Sequence, residues 1–375
     1  MRQRLESDHL WQAMTVDGSA TGPWIKGSLA VRASTALLSL LAVALPLMVA
    51  CGHSDPAAGE PGRLQGAGPT SYPLTIENCG VTVTFDGPPQ RAVSLYQAST
   101  EILLALGLAD RMVGTSTWFD PVLPELADDN ADVPRLADND PGLEVVLGVE
   151  PDLVTSASAH TFTPAVVADR ARFAQLGIPT YQSPSVCHGA DVNGETVTRS
   201  DPLTLDVLFR EIAELAQIFD VQQRGQELIA SLTRRLDETP SIRGSDTTVA
   251  FWFSGLRTPY LAGCCSAPGL YATQLGVTNV FSDTREDWPE VSWESLADRD
   301  PDVLVLADLN RRRIDGDSLE TKVKFLESNP VTRNMTAVRQ KRYVVLTGSE
   351  LDPGIREIDA LEKLAAGFRT FGLAQ

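Results

Sequence analysis

Residues able to make or break bonds are few in this chain. Past the first seventy positions it holds two histidines, His160 and His188, and four cysteines, Cys79, Cys187, Cys264 and Cys265. No CxxC or HxxxH spacing is present, so the nitrogen and sulfur sets of a zinc site are not in prospect, and His188 beside Cys187 stands alone. A serine hydrolase of the common type would show Gly-x-Ser-x-Gly, and a thiol hydrolase would carry a family signature around Cys187; neither is found. No catalytic residue, resident cofactor or metal site is predicted, and a secreted thiol or serine hydrolase using His160 or His188 is the alternative of another class. In an oxidising compartment the cysteines would pair, Cys187 with Cys264 or Cys265, or Cys264 with Cys265, and sequence alone does not choose.

The elements that must position any site come in duplicate. Glu294-Ser-Leu-Ala-Asp-Arg-Asp-Pro-Asp-Val-Leu-Val-Leu reads as a short helix halted before Pro301, then a buried strand from Val303. Glu144-Val-Val-Leu-Gly-Val-Glu-Pro-Asp-Leu-Val-Thr has the same order: Glu, six residues, Pro-Asp, apolar strand. Upstream of each lies an amphipathic helix ended by glycine, Glu101–Leu108 with Gly107 and Leu270–Val277 with Gly276, followed by a short apolar run. The spacing predicts an α/β fold of two similar lobes, each around a mostly parallel sheet, with a ligand cleft between them. Leu205, Leu208, Ile212, Leu215 and Ile218 form an apolar stripe that Leu228, Leu232 and Leu236 continue. They predict one long helix linking the lobes over 201–238, with the N-terminal lobe at 72–200 and the C-terminal lobe at 239–375.

Ahead of the lobes, Arg32 precedes an apolar segment, Ala33–Ala50, that stops at Cys51. Residues 1–50 are read as a secretory signal. Leu47-Met-Val-Ala-Cys51 resembles the lipobox of bacterial lipoproteins, in which Cys51 would be acylated; here Met48 stands where leucine is usual. Residues 51–71, rich in Gly, Pro and Ala, then form a flexible tether. The net charge of −18 in 375 residues argues against a nucleic-acid partner, which needs a basic face.

Several ordered motifs resemble one family. Ala92-Val-Ser-Leu with Ser99-Thr-Glu-Ile-Leu-Leu-Ala-Leu-Gly-Leu, Val146-Leu-Gly-Val-Glu-Pro-Asp-Leu-Val, Trp288-Pro-Glu-Val-Ser-Trp-Glu and Asn329-Pro-Val look like the iron-siderophore and vitamin B12 substrate-binding proteins of ABC importers. The likeness covers about residues 74–375, with the binding domain proper about 90–375. It implies a monomeric lipoprotein on the outer face of the cell membrane that captures a metal chelate, a ferric siderophore foremost. It would deliver that cargo to a permease and its ATPase. Cobalamin or haem is the alternative cargo. The resemblance also places one permease-docking glutamate on each lobe, at Glu144 and Glu294.

A chelate is bulky with apolar rims, so aromatic walls are the implied lining. Candidates on loops that follow strands are Tyr96 and Gln97, Trp118 and Phe119, His160 and Phe162, Trp252 and Phe253, Tyr260 and Trp288. Trp118, Phe253 and Trp288 match aromatic positions of the vitamin B12 binder. Trp252 and Phe253 are adjacent in a strand and face opposite ways, so one of them is expected in the core; Trp293, at a helix start, is read as packing. Arg257 and Arg356 are the cations expected to fork onto an anionic siderophore. Arg311-Arg-Arg313 is read as a solvated loop, and Ser99 as the N-cap of a helix over Thr100–Leu106.

Overall fold

The computed structural model describes residues 68–194, 196–240, 242, 246–310 and 316–373. The signal segment, Cys51, most of the tether and Arg311–Arg313 lie outside the described residues. The chain enters the fold through a hairpin of β1 (Leu74–Asn78) and β2 (Val81–Phe85), turned by Cys79 and Gly80 in left-handed conformations. The N-terminal lobe then runs β3 (Ala92–Ser94), α1 (Gln97–Ala105), β4 (Met112–Thr115), α2 (Ala127–Asn130), α3 (Leu143–Leu147), β5 (Leu153–Ser156), α4 (Arg170–Gln175), β6 (Thr180–Gln182) and α5 (Pro184–Cys187). A second hairpin, β7 (Ala190–Asn193) and β8 (Thr196–Arg199), precedes α6 (Leu205–Ile218) and α7 (Gln222–Glu238). The C-terminal lobe holds β9 (Thr248–Ser254), β10 (Tyr260–Leu261), α8 (Ala267–Leu275), β11 (Thr278–Asn279), α9 (Trp293–Arg299), β12 (Val303–Asp308), α10 (Leu319–Ser328), α11 (Thr336–Arg339), β13 (Tyr343–Thr347) and α12 (Glu357–Thr370).

The two sheets share one plan. The first has the parallel order β4-β3-β5-β6; in the second β11 and β12 pair parallel with β9, β13 pairs parallel with β12, and β10 adds an antiparallel strand to β9. Thus β3, β4, β5 and β6 correspond to β9, β11, β12 and β13. The repeated phrase has a local reason. Glu150 and Asp300, each before a proline that disfavours the right-handed helical conformation there, leave the helix end through left-handed φ values of 47° and 37°. The next acid then ties strand starts together. Asp152 accepts from the amides of Gln90 and Arg91 at 2.7 and 2.8 Å, and Asp302 accepts from the amide and hydroxyl of Thr248, both at 2.9 Å. Gly107 and Gly276 are likewise left-handed, φ 69° and 74°, a conformation that a Cβ would strain.

The connector differs from the single helix the stripe predicts. Asp220 turns left-handed at φ 58° and breaks it into α6 and α7. Gly225 lies so near Ala216 that a Cβ would come within 2.5 Å, so α7 packs back on α6. The stripe itself is core as expected: Leu205, Leu208, Ile212, Leu215 and Ile218 are all buried. The chain's entry is fastened to this break. The Thr70 amide donates to Asp220 at 2.6 Å, its hydroxyl to the Gln217 carbonyl at 2.7 Å, and the Tyr72 hydroxyl to the Ile218 carbonyl at 2.7 Å.

Helix α1 starts earlier than a Ser99 cap requires. Tyr96 is its N-cap, and Ser99 is buried inside the first turn. Trp252 belongs to the core, not the cleft: it is 1% exposed, edge-on to Trp293 with ring centroids 4.7 Å apart, and both pack on Phe325. Strand alternation sends its neighbour Phe253 the other way.

Candidate ligand-binding cleft

Most of the cleft lining comes from the carboxyl ends of parallel strands or the loops beyond them, the usual place for a ligand in open α/β sheets. Tyr96 follows β3, Phe119 and Asp120 follow β4, Ser158 and His160 follow β5, Phe253 ends β9, Leu309 and Asn310 follow β12, and Gly348 and Asp352 follow β13. Two chambers result. One of about 130 Å³ is walled by Tyr96, Phe119, Phe253 and Leu309 with Asp120 and Asn310. The other, of about 230 Å³, takes in Tyr96, His160, Thr196, Val197, Glu286 and Trp288. Tyr96 and Asp352 border both, and the Tyr96 hydroxyl donates to Asp352 Oδ2 at 2.9 Å, bridging the lobes. Aromatic pairs stiffen the walls: Tyr96 is edge-on to Phe119 at 5.3 Å, and Phe253 lies 5.0 Å from Trp288.

Beneath the first chamber the lobes are joined by a buried polar belt. Gln97 Oε1 accepts from the amides of Phe119 and Asp120 at 2.9 and 3.0 Å and from the Ser349 hydroxyl at 3.1 Å. Asp120 accepts from Asn310 Nδ2 at 2.7 Å and from the Ser349 amide at 2.8 Å. Arg356 forks onto Glu101, Nε to Oε2 at 2.8 Å and an Nη to Oε1 at 2.5 Å, and also donates to the Pro121 carbonyl. Charge-assisted, bidentate and 9% exposed, that guanidinium is committed.

The predicted binding residues therefore sort by place. Tyr96, Phe119, His160, Phe253 and Trp288 face the chambers. Gln97 and Arg356 do not offer themselves to a ligand, because the belt that binds the lobes uses their polar atoms. Trp118 points away, its Nε1 donating to Thr115 Oγ1 at 3.2 Å and its ring covered by Arg135 at 4.8 Å. Tyr260 is half-buried, hydrogen-bonded to Glu290, and Arg257 is exposed; neither borders a chamber. Glu144 and Glu294 are exposed in the first turns of the equivalent helices α3 and α9.

The bridge of Cys187 to Cys264 or Cys265 is not formed. Cys187 pairs with Cys79, Cα atoms 5.5 Å apart across 108 residues, because the β1–β2 turn rests on the strand end at Gln182 and Ser183. Cys264 and Cys265 pair with each other. Sequence reasoning missed Asp120, Asn310, Asp352 and the β7–β8 hairpin. A period-two signal at Val192 and Val197 is faint, and the partners of the three polar residues lie in the opposite lobe. Among the described residues no helix is long and apolar enough to cross a membrane, and no cluster of three metal-ligating side chains is found.

Comparison with known proteins gives consistent matches. A family model described as periplasmic binding protein matches residues 93–350. The vitamin B12-binding protein of Vibrio campbellii is 28% identical over 220 residues, which is 58% of this chain and 71% of that protein. A periplasmic binding protein of Veillonella parvula superposes with a TM-score of 0.68 at 24% identity, over 79% of this chain and 97% of that one. The structure of an ABC-type Fe3+-hydroxamate transport system from Saccharomonospora viridis gives 0.65 at 28% identity, over 80% and 99%.

Proposed function

This chain belongs to the periplasmic binding protein family, and from that premise we propose that it is the extracytoplasmic receptor of an ABC importer, capturing a ferric siderophore and handing it to the permease. The observation that carries the reading is the aromatic-walled cleft between two like lobes, with Tyr96, Phe119, Phe253 and Trp288 turned into it. Each chamber is smaller than the roughly 300–1,000 Å³ of a small-molecule pocket. A chelate would thus enter with the lobes parted at Tyr96 and Asp352 and be gripped as they close. Glu144 and Glu294, exposed at equivalent places, would set the register on a permease with two matching halves, a task for which paired charges serve orientation and on-rate. Cys51 would carry the lipid anchor.

Cobalamin is the second reading, favoured by the vitamin B12-binding relative. A thiol hydrolase is disfavoured, since Cys187, Cys264 and Cys265 are all held in disulfides. The test is tryptophan quenching of the full-length protein in detergent by ferric trihydroxamate, ferric tricatecholate, cyanocobalamin and haemin. Saturable quenching by one ferric siderophore, weakened by Phe253→Ala and Trp288→Ala, is expected. Response to cyanocobalamin alone would replace the cargo with the second reading. Silence toward all four would overturn the receptor.

A further inference from the structure

The larger chamber has a wall that belongs to neither sheet. Between α5 and α6 the β7–β8 hairpin leaves the N-terminal lobe and lies along segment 284–288 of the C-terminal lobe. The Asp287 amide donates to the Val197 carbonyl at 2.8 Å, and the Arg199 amide to the Arg285 carbonyl at 2.9 Å. Arg285 returns two bonds, to the carbonyls of Arg199 and Ser200 at 3.1 and 2.5 Å. A buried side chain rivets the assembly. Arg199, 5% exposed, donates from Nε to both oxygens of Asp287 at 2.9 and 3.0 Å, and from Nη1 to the carbonyls of Ser185 and His188 at 2.8 and 3.0 Å. One guanidinium thereby holds two carbonyls of the N-terminal lobe and a carboxylate of the C-terminal lobe. Trp288, the next residue after Asp287, lines the chamber together with His160, and Thr196 and Val197 line it from the hairpin.

We propose that the β7–β8 hairpin is a specificity wall, in which Thr196 and Val197 limit the bulk of the chelate that the larger chamber accepts, and Arg199 is a positioning residue that fixes Trp288 through Asp287. The proposal rests on the cleft being the ligand site. A side chain on a free loop can rotate aside for a bulkier guest. A strand fastened by main-chain bonds to a neighbouring segment cannot, so discrimination comes from a clash rather than from a weaker attraction. Loss of Arg199 would leave the Asp287 carboxylate buried and uncompensated, and the segment carrying Trp288 would move to rehydrate it.

The test is calorimetric titration of the full-length protein in detergent with the same four chelates, reading the ratio of their affinities as well as each value. Thr196 is exposed, so Thr196→Trp should fold with an unchanged Tm. It is expected to weaken the best-bound chelate by about tenfold or more. Val197→Ala is expected to shift the ratio toward the bulkier chelates. Arg199→Met should flatten the ratio and speed amide exchange at Asp287; an arginine that only stabilised the fold would lower Tm and leave the ratio as it was. If Arg199→Met does not fold, the two hairpin variants decide. Wild-type binding with the ratio unmoved by Thr196→Trp and Val197→Ala would overturn the wall alone. A wild-type protein that binds none of the four would overturn the receptor reading and the wall with it.

Discussion

Tyr96 of the N-terminal lobe donates a hydrogen bond to Asp352 of the C-terminal lobe at 2.9 Å, and this contact divides one cleft into two chambers. Replacing Tyr96 by Phe keeps the ring on Phe119 and removes the bridge. A single hydrogen bond of this kind contributes about 1 kcal/mol net, enough to move an open–closed ratio about fivefold. Small-angle scattering should report a larger radius of gyration for Tyr96→Phe without ligand. An unchanged radius would mean that the bridge does not hold the lobes.

The buried pair of Arg356 and Glu101 makes a larger claim on stability. Arg356→Met leaves the Glu101 carboxylate buried without its cation and should cost about 3–5 kcal/mol in urea unfolding. The double variant Glu101→Leu/Arg356→Met should recover much of that loss. A single variant as stable as the parent would show that the belt is not what fastens the lobes.

A further handle lies where α6 meets α12. Glu211 and Glu357 border one small buried crevice, and burial is the main cause that lifts both carboxyls, Glu211 to about 7. The Ser183 hydroxyl, 2.5 Å from Glu211 Oε2, opposes that lift, while Glu214 adds to it and Arg210 opposes it. A raised carboxyl holds a proton in the folded chain that the unfolded chain has released. Stability therefore falls as pH rises from the ordinary 4.5 toward 7, and this contribution is gone above it. Glu357 acts in the same direction. Glu211→Gln should flatten the dependence and gain up to about 3 kcal/mol at pH 8. Parallel stability–pH curves for parent and variant would refute a buried proton at Glu211.

If Glu144 and Glu294 dock on the permease as proposed, docking should separate from capture. Glu144→Arg and Glu294→Arg lie on exposed helix turns outside both chambers, so chelate affinity should stay as it is while association with the permease slows about tenfold or more at low salt. Surface plasmon resonance against the permease in nanodiscs would read both. Loss of chelate binding in either variant would contradict this division.

Which parts were legible follows from distance along the chain. The Pro-Asp phrase announces its own conformation, because a residue before proline leaves the helix whatever surrounds it, and so the duplicated lobes could be read from Glu144 and Glu294. That Trp252 and Phe253 face opposite ways needed only strand alternation, which could not say which of them is core. Arg356 was misplaced because the acid that claims it, Glu101, is 255 residues away. Cys79 and Cys187 are 108 residues apart and no local pattern links them. The connector's break at Asp220 was hidden for another reason: the apolar stripe continues in α7, so period alone could not show that the helix stops between.

The fastening of Thr70 and Tyr72 at the break between α6 and α7 also governs how the molecule bears load. A pull arriving from the N-terminal side is taken up by the Gln217 and Ile218 carbonyls and the Asp220 carboxylate, all on the connector. A protein moored by the lipid proposed at Cys51 would therefore be braced first at its connector, away from the aromatic residues proposed to grip the cargo.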